Sequence, residues 1–366
     1  MNDLDKIFDL AKELPHGGLH IMDDPQTGLK AIIAIHSTAI GPALGGCRFL
    51  EYNSAEDAIK DAIKLAKGMS YKAAITGVPT GGGKAVIMKP KSIKNLDAYF
   101  SKFGQFVDQL GGKYITAMDS GTTLREMDII AKHTKYVASI TAENTISHGD
   151  PSPYTAYGIL RGIEAAVEFK LGTKSLKNLK VAIQGVGNVG FDLATRLHNH
   201  GAKLYVSDIN ANALERCQRE FGAVIVDNSD IHKLDCDVYA PCALGGAIND
   251  RTIHDLKCPI IAGCANNQLA TKEHGLKLHN MGILYAPDYV INAGGLIFAH
   301  ALYANLGEHQ AFDSIENIHS CLLDIFSQSQ VNDAPTSDIA DAIAQNRINA
   351  AQAKLDEGVA TCAHSL

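Results

Sequence analysis

The chain has 366 residues, 46% of them hydrophobic and 20% charged, and a formal net charge of −7. That length exceeds one ordinary core and predicts two domains, with the composition of a globular rather than a disordered chain. The acidic balance and the lack of any basic run exclude a nucleic-acid partner and favour a small-molecule protein.

The N-terminal stretch "MNDLDKIFDLAKELPHGG" has no basic leader and no apolar segment, so no secretory signal is expected. No apolar run reaches the roughly 18 residues that span a bilayer, so no membrane association is expected. The eight cysteines form no C-x-x-C pair and no zinc-like spacing. They predict reduced thiols in a cytoplasmic protein, and no metal.

"LKAIIAIHS" (29–37) predicts a β-branched, apolar strand. "SAEDAIKDAIKLAKGM" (54–69) predicts a helix opened by a Ser54–Asp57 capping pattern, with Ile59, Ala62, Ile63 and Ala66 at helical spacing. In "GVPTGGGKAVIM" (77–88), three glycines precede Lys84 and an apolar strand. Such a run is expected where backbone must approach something closely or adopt positive φ, and it predicts a glycine loop that aims Lys84. "NLDAYFSKFGQFVDQLGG" (95–112) places Leu96, Tyr99, Phe100, Phe103, Phe106, Val107 and Leu110 on one helical stripe, stopped by Gly111 and Gly112.

Three candidate polar groups occur at expected element ends: Lys72 after a helix, Lys84 after the glycine loop, and Asp119 after a strand in "YITAMDSGTT". Taken singly, each is as readily a solvated lysine or a turn aspartate.

From about residue 178 the pattern becomes a regular alternation. Short apolar runs at 180–184, 203–207, 223–226, 236–240, 259–263 and 282–286 predict a parallel sheet with crossovers. The segment beyond about 310 is helix-rich, and "DEGVATCAHSL" (356–366) predicts a loose tail.

The first of these runs leads into "VAIQGVGNVGFDLATRLHNHG", which contains Gly185-x-Gly187-x-x-Gly190 between a strand and a helix. The first glycine permits a tight turn, the second a close approach of pyrophosphate, and the third close helix–strand packing. Asp208 ends the next strand, where an acid binds the adenosine ribose hydroxyls. Ile209 and Asn210 follow it and offer no arginine for a 2′-phosphate, so NAD is expected over NADP.

The segments "GPALGGCR", "GMSYKAA", "GGGKAVI", "GGKYITAMDSGTT", "PSPYTAYG", "DVYAPCALGG", "IAGCANNQL" and "YAPDYVINAGG" occur in that order. Together they resemble the glutamate, leucine, phenylalanine and valine amino-acid dehydrogenases, and most of all the leucine enzymes. The resemblance runs from about residue 28 to 350. It implies an α/β chain of two domains: an N-terminal α/β substrate and oligomerisation domain (1–150, completed by helices from about 330–366) and a Rossmann-like NAD-binding domain (151–330). It implies a homo-oligomer, most often an octamer.

The implied activity is reversible, NAD-dependent oxidative deamination of an apolar L-amino acid to a 2-oxo acid and ammonia, as in branched-chain amino-acid catabolism. Lys72 matches the lysine that pairs with the substrate carboxylate, Lys84 the catalytic lysine, and Asp119 the aspartate that exchanges protons with the amine. Thr155, Asn266 and Asn267 match residues near the nicotinamide ribose and substrate. Cys242 and Ala243 match the turn lining the cofactor, together with loop residues Val186, Asn188, Val189 and Phe191. The pocket positions are Leu44, Gly45, Ala117, Leu296 and Ala299, all uncharged. An unpaired carboxylate there would be desolvated, which disfavours glutamate and favours leucine, isoleucine and valine.

The chemistry needs a base near neutrality, whereas an ordinary lysine titrates near 10.4; lowering it by about 3 units costs about 4 kcal/mol. Desolvation and the nearby Lys72 both push that way. An enzyme of the same family preferring phenylalanine or another aromatic amino acid is the alternative. A non-catalytic NAD-binding regulator is disfavoured by the joint presence of Lys72, Lys84 and Asp119.

Overall fold

The computed structural model describes residues 3–142 and 145–363. It divides into two compact units, one made of 1–150, 299–307 and 343–366, the other of 151–298 and 308–342. No helix among the described residues is long and apolar enough to cross a membrane.

The first unit begins with α1 (Asp3–Ala11), β1 (Gly18–Asp24), β2 (Leu29–Ser37) and β3 (Ala43–Leu50). It continues through α2 (Ala55–Thr76), β4 (Gly81–Met88), α3 (Leu96–Gln109), β5 (Tyr114–Met118) and α4 (Leu124–Ala131). The strands form one mixed sheet in the order β1-β2-β4-β3-β5. β3 lies parallel to both β4 and β5, while β2 is antiparallel to β1 and β4.

Period-two alternation gives the sheet two apolar faces. Ile32, Ala34 and Val86 pack with Ile59, Ala62, Ile63 and Ala66 of α2. Ile33, Ala85, Ile87 and Cys47 pack on the other face with Phe100, Phe103, Phe106 and Ile130. The predicted strand 29–37 and the aromatic helix stripe are both found. Ser54 caps α2 as expected, accepting from the Asp57 amide at 3.1 Å.

Three expectations are corrected. The helix that opens at Ser54 does not stop at Met69 but runs to Thr76, so Lys72 lies inside α2 rather than after it. Gly68 sits within that helix with nothing near its missing Cβ, so it is tolerated there. Gly81, Gly82 and Gly83 are not a loop but the first residues of β4, and none has positive φ. The expected tail is instead the end of α12 (Thr336–Ala363); residues 364–366 and the Cys362 side chain lie outside the description.

The second unit opens with α5 (Ser152–Leu171), β6 (Lys180–Gln184), α6 (Asn188–Asn199), β7 (Lys203–Ser207), α7 (Ala211–Phe221) and β8 (Val224–Ile225). β9 (Val238–Pro241), β10 (Ile260–Ile261), α8 (Lys272–Asn280), β11 (Leu284–Tyr285) and α9 (Asp288–Ile291) follow. All six predicted runs are strands of one sheet, ordered β11-β10-β9-β6-β7-β8. Every pairing in it is parallel. The chain lays strands to one side of β6 and then returns to lay the rest on the other. That reversal creates a switch point beyond the C-terminal ends of β6 and β9, where ligands of such sheets bind. The chain ends through α10 (Gly294–Tyr303), α11 (Glu308–Asn332) and α12.

Candidate active site

The polar cluster of the first unit sits on the α2 face of its sheet. Val86 packs against α2, and Lys84, two residues earlier on β4, projects to the same side. There the Lys84 ammonium pairs with the carboxylate of Asp119, just beyond β5. Both side chains are sequestered, at 6% and 17% exposure. Burial brings Lys84 down to about 7, helped by the positive charges of Arg48 and Lys72. Asp61 pulls it upward, as must the touching Asp119 carboxylate, but desolvation of the ammonium prevails. Burial pushes the neighbouring Cys47 thiol up, which keeps it neutral.

Asp119 is held from its backbone outward. Its amide donates to Thr122 Oγ1 at 3.0 Å, and that hydroxyl donates in turn to the Cys47 carbonyl at 3.0 Å. The Ser120 amide donates to Asp119 Oδ1 at 2.6 Å. Gly46 makes the room: a Cβ on it would lie 2.6 Å from Asp119 Cβ.

The glycine run of β4 admits protein, not solvent. A Cβ on Gly82 would fall 2.0 Å from the Ser70 amide nitrogen of α2, and one on Gly81 2.0 Å from the Ser37 carbonyl oxygen. One on Gly83 would lie 2.8 Å from the Tyr114 ring. The bare strand therefore brings α2 down onto the sheet, and Lys72, two residues beyond Ser70, with it. The C-terminal end of α2 is tied from α12: Arg347 donates to the carbonyls of Ala74 and Ile75 at 3.0 and 2.8 Å, and Tyr71 donates to Gln345 Oε1 at 2.7 Å.

Arg48 was missed by sequence reasoning, although it stands in the "GPALGGCR" segment. Its guanidinium reaches both Asp61 oxygens at 3.2 and 2.9 Å, while Tyr52 donates to Asp61 Oδ2 at 2.6 Å. No periodicity links positions 48, 61 and 84, and only the packing of α2 on the sheet brings them together.

Of the expected pocket residues, Leu44 is buried on β3, and Ala117 on β5 is paired with Gly46 in register. Gly45 alternates to the opposite phase, where its carbonyl accepts from the Tyr114 hydroxyl at 2.7 Å. Leu296 and Ala299 are buried residues of α10, the former in the second unit and the latter in the first. His300 beside them has a buried Nδ1 with no partner, and burial lowers its pKa, keeping it neutral.

In the second unit, the turn after β6 has the form its glycines predict. Gly185 adopts φ +96°, and a Cβ there would strike Ala243 at 2.8 Å. A Cβ on Gly190 would lie 2.0 Å from the Gly185 carbonyl oxygen, so this glycine lets α6 close on the turn. Gly187 caps α6 with no side-chain bond, and nothing lies within 4 Å of its missing Cβ. The first turn of a helix left bare and open is suited to a phosphate group. Val186, Asn188 and Val189 complete that turn, whereas Phe191 packs into the fold, its ring under the Arg216 guanidinium at 3.7 Å.

Asp208 closes the loop, accepting from the Val186 amide at 2.7 Å and from the Asn210 amide at 2.8 Å. It borders a cavity of about 650 Å³ whose lining includes Gln184, Gly185, Ala243, Lys233 and Arg251. The last two are cations that the sequence did not place near Asp208. Cys242 follows β9, its amide bound to the Gln184 carbonyl at 2.7 Å. Thr155 on α5 donates to the Pro151 carbonyl at 3.0 Å. Asn266 is exposed, its Oδ1 accepting from Asn292 Nδ2 at 2.7 Å, and Asn267 beside it adopts φ +53°. Among the described residues, no group of three or more His, Cys, Asp or Glu could hold a metal ion.

Comparison with known proteins matches residues 19–136 to the Glu/Leu/Phe/Val dehydrogenase dimerisation domain and residues 209–354 to the Glutamate/Leucine/Phenylalanine/Valine dehydrogenase domain. A leucine dehydrogenase of Geobacillus stearothermophilus is 51% identical, over 89% of this chain and 88% of its own. A phenylalanine dehydrogenase of Bacillus thermotolerans is 42% identical over 92% of this chain and 89% of its own. The crystal structure of L-tryptophan dehydrogenase from Nostoc punctiforme superposes with a TM-score of 0.81 at 42% identity, covering 94% of this chain and 99% of that one. With a buried lysine–aspartate pair in one unit, a bare helix N-terminus in the other, and relatives of this likeness along nearly the whole chain, the protein belongs to the Glu/Leu/Phe/Val dehydrogenase family and is an amino-acid dehydrogenase.

Proposed function

We propose that this enzyme carries out the reversible, NAD-dependent oxidative deamination of branched-chain L-amino acids, leucine foremost, to 2-oxo acids and ammonia. The observation that carries the reading is the buried Lys84–Asp119 pair, with Lys84 brought down to about 7.

Lys72 binds the substrate α-carboxylate from the end of α2. Asp119 exchanges protons with the substrate amine, which must be uncharged before the Cα–H bond breaks. Lys84 is neutral above about pH 7 and takes a proton from the water that attacks the imine carbon. A lysine titrating near the working pH serves as base in one direction and acid in the other.

The dinucleotide fits the residues present. Gly185, Val186, Gly187, Asn188, Val189 and Gly190 would hold its pyrophosphate at the open N-terminus of α6, and Asp208 its adenosine ribose. Cys242, Ala243, Thr155, Asn266 and Asn267 would border the remainder. Asn292 binds the oxygen end of Asn266, which leaves that residue's amide nitrogen as the end offered to a ligand. Bound there, NAD supplies the acceptor for the Cα hydride. The Asp208 carboxylate repels a 2′-phosphate, which favours NAD over NADP despite Lys233 and Arg251 in the cavity wall. Phe191, anchored under Arg216, supports the loop from within.

Leu44, Gly45, Ala117 and Ala299 of the first unit, and Leu296 of the second, present no charge to a substrate side chain. A γ-carboxylate would have no partner among them.

The test is an absorbance assay at alkaline pH with NAD or NADP and individual L-amino acids. Leucine, isoleucine and valine with NAD should be used within roughly 200-fold of one another in kcat/KM, since a methylene discriminates by only ~1–3 kcal/mol. Glutamate should be inert. Preference for phenylalanine would move the enzyme to the alternative reading, and equal use of NADP would remove the role given to Asp208.

A further inference from the structure

Two cysteine pairs flank neighbouring strands of the second unit, one at each end. β9 and β10 are parallel, with Val238 opposite Ile260 and Tyr239 opposite Ile261. Cys236 and Cys258 precede this register by two residues each, and Cys242 and Cys264 follow it by three residues each. All four are free thiols, and within each pair the two thiols interact with one another. Neighbouring strands run about 4.8 Å apart, inside the Cα separation of about 4.4–6.8 Å that a disulfide needs.

The pairs differ in access. Cys236 and Cys258 are buried, whereas Cys242 and Cys264 are both partly exposed. Cys264 Sγ lies 3.7 Å from the Cys242 carbonyl oxygen. Its thiol also bonds the Cys242 sulfur, which holds the latter below the ordinary thiol range. A thiol held below its ordinary range beside a second thiol at an accessible strand end is the arrangement of a redox-responsive dithiol.

We propose that Cys242 and Cys264 are an oxidation site, closed to a disulfide by hydrogen peroxide, and that closing it weakens dinucleotide binding. The Cys242 thiolate attacks one peroxide oxygen; the O–O bond breaks, hydroxide leaves, and Cys242 becomes a sulfenic acid. The Cys264 sulfur then attacks the Cys242 sulfur. The S–O bond breaks, the departing oxygen leaves as water with the Cys264 proton, and the S–S bond forms. In sum, two thiols and one peroxide give one disulfide and two waters.

The consequence follows from the neighbours. Cys242 Cβ lies 3.5 Å from where a Gly190 Cβ would stand, and the next residue, Ala243, already presses on Gly185. On the other strand, the Cys264 carbonyl accepts from Asn292 Nδ2 at 2.9 Å, and the same amide donates to Asn266. Drawing two sulfurs from contact to a bond of about 2 Å moves both backbones, and with them the glycine turn and the Asn266 loop. This second half of the inference rests on the dinucleotide reading given above; the first does not.

The experiment uses the full-length enzyme. Reduced and peroxide-treated samples are digested without reductant and mapped by mass spectrometry, and NADH binding is titrated by fluorescence on the same samples. The expected result is a Cys242–Cys264 linked peptide, no Cys236–Cys258 peptide at the same dose, and NADH binding weakened roughly tenfold or more, restored by dithiothreitol. In Cys264→Ser, peroxide should leave a sulfenic acid on Cys242 that dimedone captures. Absence of the linked peptide, or a peroxide-treated Cys264→Ser with no dimedone adduct, overturns the oxidation site. A linked peptide with unchanged NADH affinity overturns its effect on binding. A reduced enzyme that fails to bind NADH overturns the dinucleotide reading while leaving the linked peptide as evidence for the site.

Discussion

The role proposed for Lys84 rests on what surrounds it rather than on what it is. A solvated lysine would be protonated throughout the neutral range; this one is enclosed and faces Arg48 and Lys72. Lys84→Ala should lower kcat by roughly 10³-fold or more, the scale of a lost general base, with NADH affinity unchanged because the glycine turn is untouched. Near-normal kcat in that variant would defeat the assignment. Arg48 gives a sharper test. Arg48→Gln removes a positive charge that disfavours the ammonium and leaves Asp61, which favours it, uncompensated. The Lys84 pKa must then rise. With the neutral amine as the proposed base, kcat/KM for deamination should climb with pH through that value. The acidic limb of the profile, centred near pH 7 in the wild type, should move to higher pH in the variant. A purely structural arginine would lower the curve without moving the limb. The sequence made Lys72, Lys84 and Asp119 visible through their segments. It did not show Arg48 joining them, because the association depends on strand register and not on spacing along the chain.

At the scale of elements, the parallel sheet of the second unit was the most legible part of the molecule. Each strand is a short apolar run set off by helix or turn, and a parallel strand covered on both faces needs no subtler pattern. The glycine run of β4 was the least legible. Gly-Gly-Gly suggests a loop because glycine is common there; nothing in the sequence names Ser70, Ser37 and Tyr114 as the groups that exclude a side chain. Gly68 lies inside α2, which the sequence reading ended at Met69, and nothing stands near its missing Cβ. These two glycines predict opposite responses. Gly82→Ala forces a Cβ against helix backbone and should destabilise by at least ~3 kcal/mol. Gly68→Ala meets open space in a helix interior and should stabilise by about 0.5–1 kcal/mol. Thermal midpoints moving in the same direction for both variants would contradict the packing of α2 on β4.

At the scale of the whole molecule, β1 is an edge strand with Ile21 55% exposed, and it lies in the segment matched to a dimerisation domain. An unpaired edge with an apolar side chain is a surface that chains cover by association. Light scattering should therefore give a particle of at least twice the 39.1 kDa chain; a single-chain mass would remove the expected homo-oligomer. The sequence carried the family and implied a return to the first domain from about 330; 343–366 do group with the first unit, 308–342 group with the second, and the short passage 299–307 in the first was not expected. Helical periodicity at the C-terminus shows that helices exist, and not which sheet they complete.

The ties from Arg347 and Gln345 to the end of α2 have a consequence for biosynthesis. A ribosome makes the strands and helices of the first 150 residues well before the groups that fasten the helix bearing Lys72, which lie more than 270 residues further along the chain. Until they emerge, the nascent N-terminal half waits with that helix end unsecured, and the second unit, synthesised in between, has time to form first. The order of manufacture is thus reversed in the order of completion, and a chain cut short before Gln345 leaves the end of that helix without its anchor.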